Sequence, residues 1–199
     1  MRRIFAGSAR AGLAAFISAT VCAAAQPLTI EMDPAKTQIE WTLGGVLHTV
    51  HGTFHMKEGR IVFDPARQSL SGQIIVETAT GDSGSGARDR RMKKEILETQ
   101  RFPQATFAPA KIDGNIAPSG QSEARVSGTF ELHGAKHDVT IPMKFQISGT
   151  EVEAAGNFAV PYVAWGMKNP STLVLRVDQT VQVQVHAVGR VVSASAAVY

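Results

Sequence analysis

The chain has 199 residues, of which 44% are hydrophobic, one Cys, and 20 Lys and Arg against 17 Asp and Glu, a formal charge of +3. That length suits one domain able to bury well over half of its unfolded surface. A single Cys excludes an internal disulfide, and so small a charge excludes the footprint of a nucleic-acid binder.

Arg2, Arg3 and Arg10 precede an apolar, small-residue stretch from Ala11 to Val21, which runs into Ala23-Ala24-Ala25 and then Gln26-Pro27. A basic start, a short apolar region and an A-x-A site are the three parts of a secretory signal. The stretch is too short to span a bilayer, which takes roughly 20 residues. Cleavage is expected after Ala25, leaving 199 − 25 = 174 residues as one domain, 26–199, in the periplasm or secreted. The only Cys, Cys22, lies in the leader, and the Val21 before it is not the small residue a lipidation site wants. Removing three Arg leaves 17 basic against 17 acidic residues, a net charge of 0.

Period-2 alternation then recurs along the chain. Ile39, Trp41 and Leu43 alternate with polar residues, and shorter candidate strands follow at 49–54 and 59–63. Leu70, Gly72, Ile74 and Val76 alternate, interrupted only by Ile75. After a candidate at 105–111, Val126, Gly128, Phe130 and Leu132 form one face, and Val139, Ile141, Met143, Phe145 and Ile147 another. Candidates at 152–158 and 173–177 precede Val181, Val183, Val185 and Ala187. Each run reads as a strand with one face inward and one in water. Asp64-Pro65, Asp113-Gly114-Asn115, Pro118-Ser119-Gly120, His133-Gly134 and Ser148-Gly149 supply turns between them. The pattern is all-β and antiparallel, a sandwich or a closed barrel.

One segment departs from it. The Ser/Gly stretch 81–86 reads as a flexible linker. It leads into 88–97, where Met92 and Ile96 share a helical face and Arg91 faces Glu95. A short helix lying across one barrel end as a lid is expected. Its basic run reads first as a solvated face and second as a transient contact with anionic headgroups.

Alternation and size nominate Trp41, Phe54, Phe63, Ile74, Phe107, Phe130, Ile141, Met143 and Phe158 as apolar cavity lining. Gly72, Ala105, Gly128 and Gly156 sit beside bulky residues. Either they leave volume for a ligand, or they serve curvature and close strand packing. His48, His51 and His55 cluster and His133 flanks a turn, but on a strand His51 and His55 share a face that His48 does not. No metal site is expected; a His-based metal module is a rival reading. Glu77, Asp82 and Asp89 give no paired carboxylates, and nucleophile, phosphate and dinucleotide motifs are missing, so no catalysis is expected.

Several motifs occur in order: Val50-x-Gly52-x-Phe54, Phe63-Asp64-Pro65, Arg88-Asp89-x-x-Met92, Phe102-Pro103-x-x-x-Phe107, Gly128-x-Phe130-x-Leu132-His133-Gly134 and Trp165-Gly166. This succession resembles the YceI-like family of polyisoprenoid-binding proteins, from about Ile30 to Val188. Thr78-Ala79-Thr80 and the Ser/Gly stretch depart from its usual pattern. The resemblance implies a lipocalin-like, eight-stranded antiparallel β-barrel, with one short helix expected after the fifth-strand region. It also implies an exported carrier or sequestering protein with a non-covalent isoprenoid lipid, a quinone tail or polyprenyl chain, in the barrel. The alternative is a non-catalytic periplasmic stress or interaction protein with a filled barrel. No nucleic-acid partner is expected, and a homodimer is left open.

Overall fold

The computed structural model describes residues 26–46, 48–171 and 176–194. The leader expected at 1–25, with Cys22, and most of the strand expected at 173–177 lie outside them. Among the described residues nine strands follow one another: β1 (Leu28–Met32), β2 (Gln38–Leu43), β3 (Val50–Asp64), β4 (Ser69–Asp82), β5 (Gln104–Asp113), β6 (Gly120–Leu132), β7 (Ala135–Ser148), β8 (Glu151–Val160) and β9 (Val181–Ala194). Consecutive strands from β3 to β9 pair antiparallel. The ring closes because β1 and β2 both bridge β9 and β3. β1 pairs with Arg60–Phe63 of β3, and β2 with Val50–Phe54. They are two collinear halves of one interrupted strand. Nine segments therefore make an eight-stranded closed barrel, in which each strand has a neighbour on both sides.

Inward faces follow the alternation read from the sequence, with two changes of phase. In β3, Val50, Phe54 and Met56 face the interior, and then Ile61 and Phe63 do. Met56 pairs with Val76 and Glu58 with Ile75, so Lys57 is an extra residue that switches the inward positions from even to odd. The 49–54 and 59–63 candidates are therefore one strand, and the helix follows the fourth strand in chain order rather than the fifth. In β5, Pro109 opposes Gly128 and Lys111 opposes Ser127, so Ala110 is extra and the inward face passes from Pro109 to Ile112. The outer face carries cross-strand charge pairs such as Glu31–Arg60 and Glu123–Lys144 (3.8 and 3.7 Å), each exposed and worth at most about 1 kcal/mol.

At the upper end lie residues 44–46 and 48–49 between β2 and β3, the 83–103 connection, the His133-Gly134 turn and the segments 161–171 and 176–180. The turns at 65–68, 114–119 and 149–150 form the lower end. The upper connection begins with α1 (Gly86–Arg91) and continues through Met92–Ile96 as a π-helical turn. Leu97 N donates to Met92 O at 2.9 Å, the five-residue spacing of a π-helix.

The 81–86 stretch is a tied turn, not a free linker. Gly81 belongs to β4, with Met92 Cε and the Phe54 ring where a side chain would stand, and Gly84 holds φ +75°. Asp89 accepts from Ser83 N (3.0 Å) and Ser83 Oγ (2.6 Å), and Arg88 Nε donates to Ser83 Oγ (2.8 Å). At the other end, Thr78 Oγ1 donates to Phe102 O (2.7 Å), and the Phe102 ring lies 4.4 Å from that of His133. The connection is fastened to the barrel at both of its ends.

Candidate functional site: the barrel cavity

Eight strands enclose a cavity of ≈ 1110 Å³ that extends between the two ends of the barrel. That is slightly above the ~300–1,000 Å³ of ordinary ligand pockets. At about 30 Å³ per molecule of liquid water it could hold nearly forty waters, and each would need two to four polar partners. The wall offers few. Thr78 Oγ1 is engaged by Phe102 O, and Thr37 Oγ1 accepts from Val188 N (3.2 Å). The rest of the barrel wall is almost entirely aliphatic and aromatic carbon from every strand. Such a surface suits an apolar chain and is a poor host for water.

All nine residues nominated from the sequence, Trp41, Phe54, Phe63, Ile74, Phe107, Phe130, Ile141, Met143 and Phe158, lie on this wall. Phe130 and Phe158 meet edge to face at 5.6 Å, and Trp41 lies 6.5 Å from Phe54. Sequence reasoning missed the lining from β1 (Leu28, Ile30 and Met32), although that stretch alternates. The short helix expected across one barrel end turns Met92, Ile96 and Leu97 into it, but neither these nor the polar group His48, Arg88, Arg91 and Arg176 were nominated as lining.

The suggestion that inward glycines leave room for a ligand is corrected. Gly72, Gly128 and Gly156 are not on the cavity wall; Ala105 is, 6% exposed. Gly156 pairs with Met143, whose sulfur occupies the space of the missing side chain, and Trp41 lies over its own partner, Gly52, in the same way. A Cβ on Gly128 would meet Ala108 O and come within 2.7 Å of Pro109 Cα. Gly72 holds φ +101° beside the Arg60 carbonyl, where strand β4 gains a residue on β5. These glycines permit close strand approach and sharp curvature. The cavity comes from barrel closure, not from absent side chains.

Part of the upper end is filled by packing. Ala105, Leu132, Val160, Tyr162 and Met167 form one buried cluster, against which Ile96, Leu97 and Trp165 pack. Pairing of β7 with β8 starts only at Met143–Gly156, and above that point Trp165 stacks on His137 at 3.9 Å, tilted by 5°. Tyr162 OH donates to Asp178 O (2.8 Å). Burial, with the Asp178 charge, raises the Tyr162 phenol above its usual range, so it stays protonated.

Two of the histidines are engaged off the cavity wall. His51 Nδ1 lies 3.0 Å from Thr42 Oγ1, and His133 Nε2 lies 3.4 Å from Glu98 Oε2. Among the described residues, no three His, Cys, Asp or Glu side chains converge on a metal-sized site.

A family model for the YceI-like domain matches residues 31–189. A UPF0312 protein of Pseudomonas putida strain W619 is 24% identical over 164 residues, 78% of this chain and 83% of that protein. One from Yersinia enterocolitica is 28% identical over 106 residues, 51% and 52% of the two chains. Burkholderia cenocepacia BcnA superposes with a TM-score of 0.65 at 21% identity, over 79% of this chain and 98% of that one. A polyisoprenoid binding domain from Saccharophagus degradans does so with 0.66 at 16% identity, over 82% and 99%. At these identities the two structures show a common fold.

Proposed function

Since the chain belongs to the YceI-like family, we propose that its barrel binds an isoprenoid-type lipid, a quinone tail or polyprenyl chain. On this reading the protein is an exported carrier or sequestering protein with no chemistry of its own. The cavity carries the proposal: ≈ 1110 Å³ of apolar-walled space inside a closed barrel. The polyisoprenoid binding domain of the same fold supports it.

The mechanism is partition. The tail leaves the membrane for a wall of similar polarity, and the protein gains the contact area. Burying about 400 Å² of apolar ligand surface at ~25 cal/mol/Å² gives roughly 10 kcal/mol before costs. Association and ordering take back several kcal/mol, which leaves micromolar to nanomolar binding. The nine nominated wall residues are the expected contacts. Arg90 and Lys94, exposed on the upper connection, and Val46, 75% exposed on the neighbouring loop, suit a transient contact with an anionic membrane surface.

Solvent extraction of detergent-free protein from the exported fraction, followed by mass spectrometry, tests the whole reading. A stoichiometric prenyl lipid, on a chain beginning at Gln26, is the expected result. An empty extract, from protein that also refuses a fluorescent prenyl probe, would refute it in favour of an interaction protein.

A further inference from the structure

The boundary between β7 and β8 is joined only along its lower part. β7 keeps register with β6 from Gly120–Ile147 up to Leu132–Ala135, and β8 keeps register with β9 from Glu151–Arg190 up to Val160–Val181. Between β7 and β8, pairing runs from Ser148–Glu151 to Met143–Gly156 and stops. The next residues are Pro142 and Asn157. Pro142 O lies 2.9 Å from the place that a Cβ on Gly156 would take, so this residue turns its backbone groups toward β8. There a proline has no N–H to give to the ladder. Above it, 135–141 of β7 and 158–160 of β8 remain strand but have no register with each other. The β4–β5 ladder is also interrupted, between Ile74 and Ser69, but it resumes at Ser69–Lys111.

Side chains fill this parting. Residues 161–167 fold back from the end of β8 as a compact turn, with Trp165 N donating to Pro161 O and Met167 N to Tyr162 O, both at 3.0 Å. Beyond itself the turn bonds to Val160, Asp178 and Gln179; among the described residues it makes no hydrogen bond to β7. The flat stack of Trp165 on His137 holds it there, and Trp165 also meets Phe130 at 6.0 Å. Tyr162 and Met167 of the turn line the cavity, while Trp165 is off the wall. The cavity therefore lies directly behind a piece of wall that no ladder secures to β7.

We propose that this parting is the way into the cavity: the 161–167 turn swings off β7, Trp165 leaves His137, and an apolar chain enters sideways between β7 and β8. This rests on the lipid-binding reading above and adds the route to it. A long chain admitted sideways does not have to thread end-on past the packed upper end. Opening the turn gives up an aromatic stack and apolar contact, both remade on closing, and breaks no ladder hydrogen bond. Freeing the 83–103 connection would instead break the bonds of Asp89 to Ser83 and of Thr78 to Phe102. Segments with few hydrogen bonds to their surroundings are the ones that open at least cost.

Stopped-flow uptake and release of dansyl-labelled geranylgeraniol, with its equilibrium Kd, test this on the native protein, W165A, P142T and D89N. Because Trp165 is off the wall, W165A should raise both rates about tenfold and leave Kd within about twofold. P142T, at an exposed position, restores the N–H missing opposite Asn157 and should slow both rates about fivefold. Native rates in W165A, or a loss of affinity carried by release alone, would overturn the side entrance and leave lipid binding standing. Should W165A fail to fold, P142T decides, and native rates there overturn it. Faster exchange in D89N, with W165A at the native rate, would move the entrance to the 83–103 connection and overturn it too. A native protein that binds none of the probe would overturn the function itself.

Discussion

Replacing Ala154 with Phe should shorten the cavity from its lower end. Ala154 lies on the wall in β8, paired with Phe145 on one side and Ala187 on the other, three residues from the lower turn. A phenyl ring there would take roughly 100 Å² of wall away from the ligand, about 2.5 kcal/mol at ~25 cal/mol/Å². That corresponds to about a 70-fold rise in Kd for a tail long enough to reach it. The same ring buries its own surface in the cavity, so the ligand-free barrel should unfold at an unchanged or higher urea concentration. Titrating a C20 and a C10 prenol in parallel separates blockage from damage. Affinity for the long chain should fall and that for the short chain should hold. Equal losses for both would indicate a distorted barrel. An undiminished C20 affinity would refute the expectation that a long chain occupies the lower part of the cavity.

Gly52→Val would put side-chain atoms into the Trp41 ring and the Asp82 carbonyl. It should destabilise the fold by about 1–3 kcal/mol, measured by urea unfolding; unaltered stability would mean that Trp41 does not depend on that space. Burial alone would raise the Asp89 carboxyl. The hydrogen bonds from the Ser83 side chain and backbone, with the Lys93 and Arg88 charges, outweigh it and hold the group below its usual value. A depressed folded-state carboxyl stabilises above its unfolded value, near 3.9, and loses that contribution as pH falls through the folded value. Asp89→Asn should therefore cost about 1–2 kcal/mol at pH 7 and much less near pH 2. A deficit independent of pH would trace the loss to shape instead of charge.

The inward faces were legible because a strand with one wet side writes its orientation every second residue. Where one extra residue enters, at Lys57 or Ala110, the written period slips, and one strand reads as two or stops early. The glycines misled for a related reason. Period 2 assigns Gly156 a face, but only the register reveals that Met143 stands opposite and occupies its space. Arg88 and Arg91 are visible as a basic run, yet Arg176 and His48 join them only after the ring closes. Residues so far apart in sequence carry no local mark of sharing a mouth. The order of motifs pointed to the family, and geometry was needed to find the charged end.

Ring closure also sets a temporal constraint. Leu28 of β1 is the register partner of Ala194 of β9, so the seam joins the first and last strands of the barrel. Until β9 is available the interior lies open along one side, and closing it costs the entropy of nearly the whole chain as a loop. Folding should therefore be slow for the size of the domain, in the millisecond-to-second regime of proteins dominated by non-local pairing. A chain truncated before Val181 should not reach a partly working barrel, because it lacks the wall against which both β1 and β8 are paired.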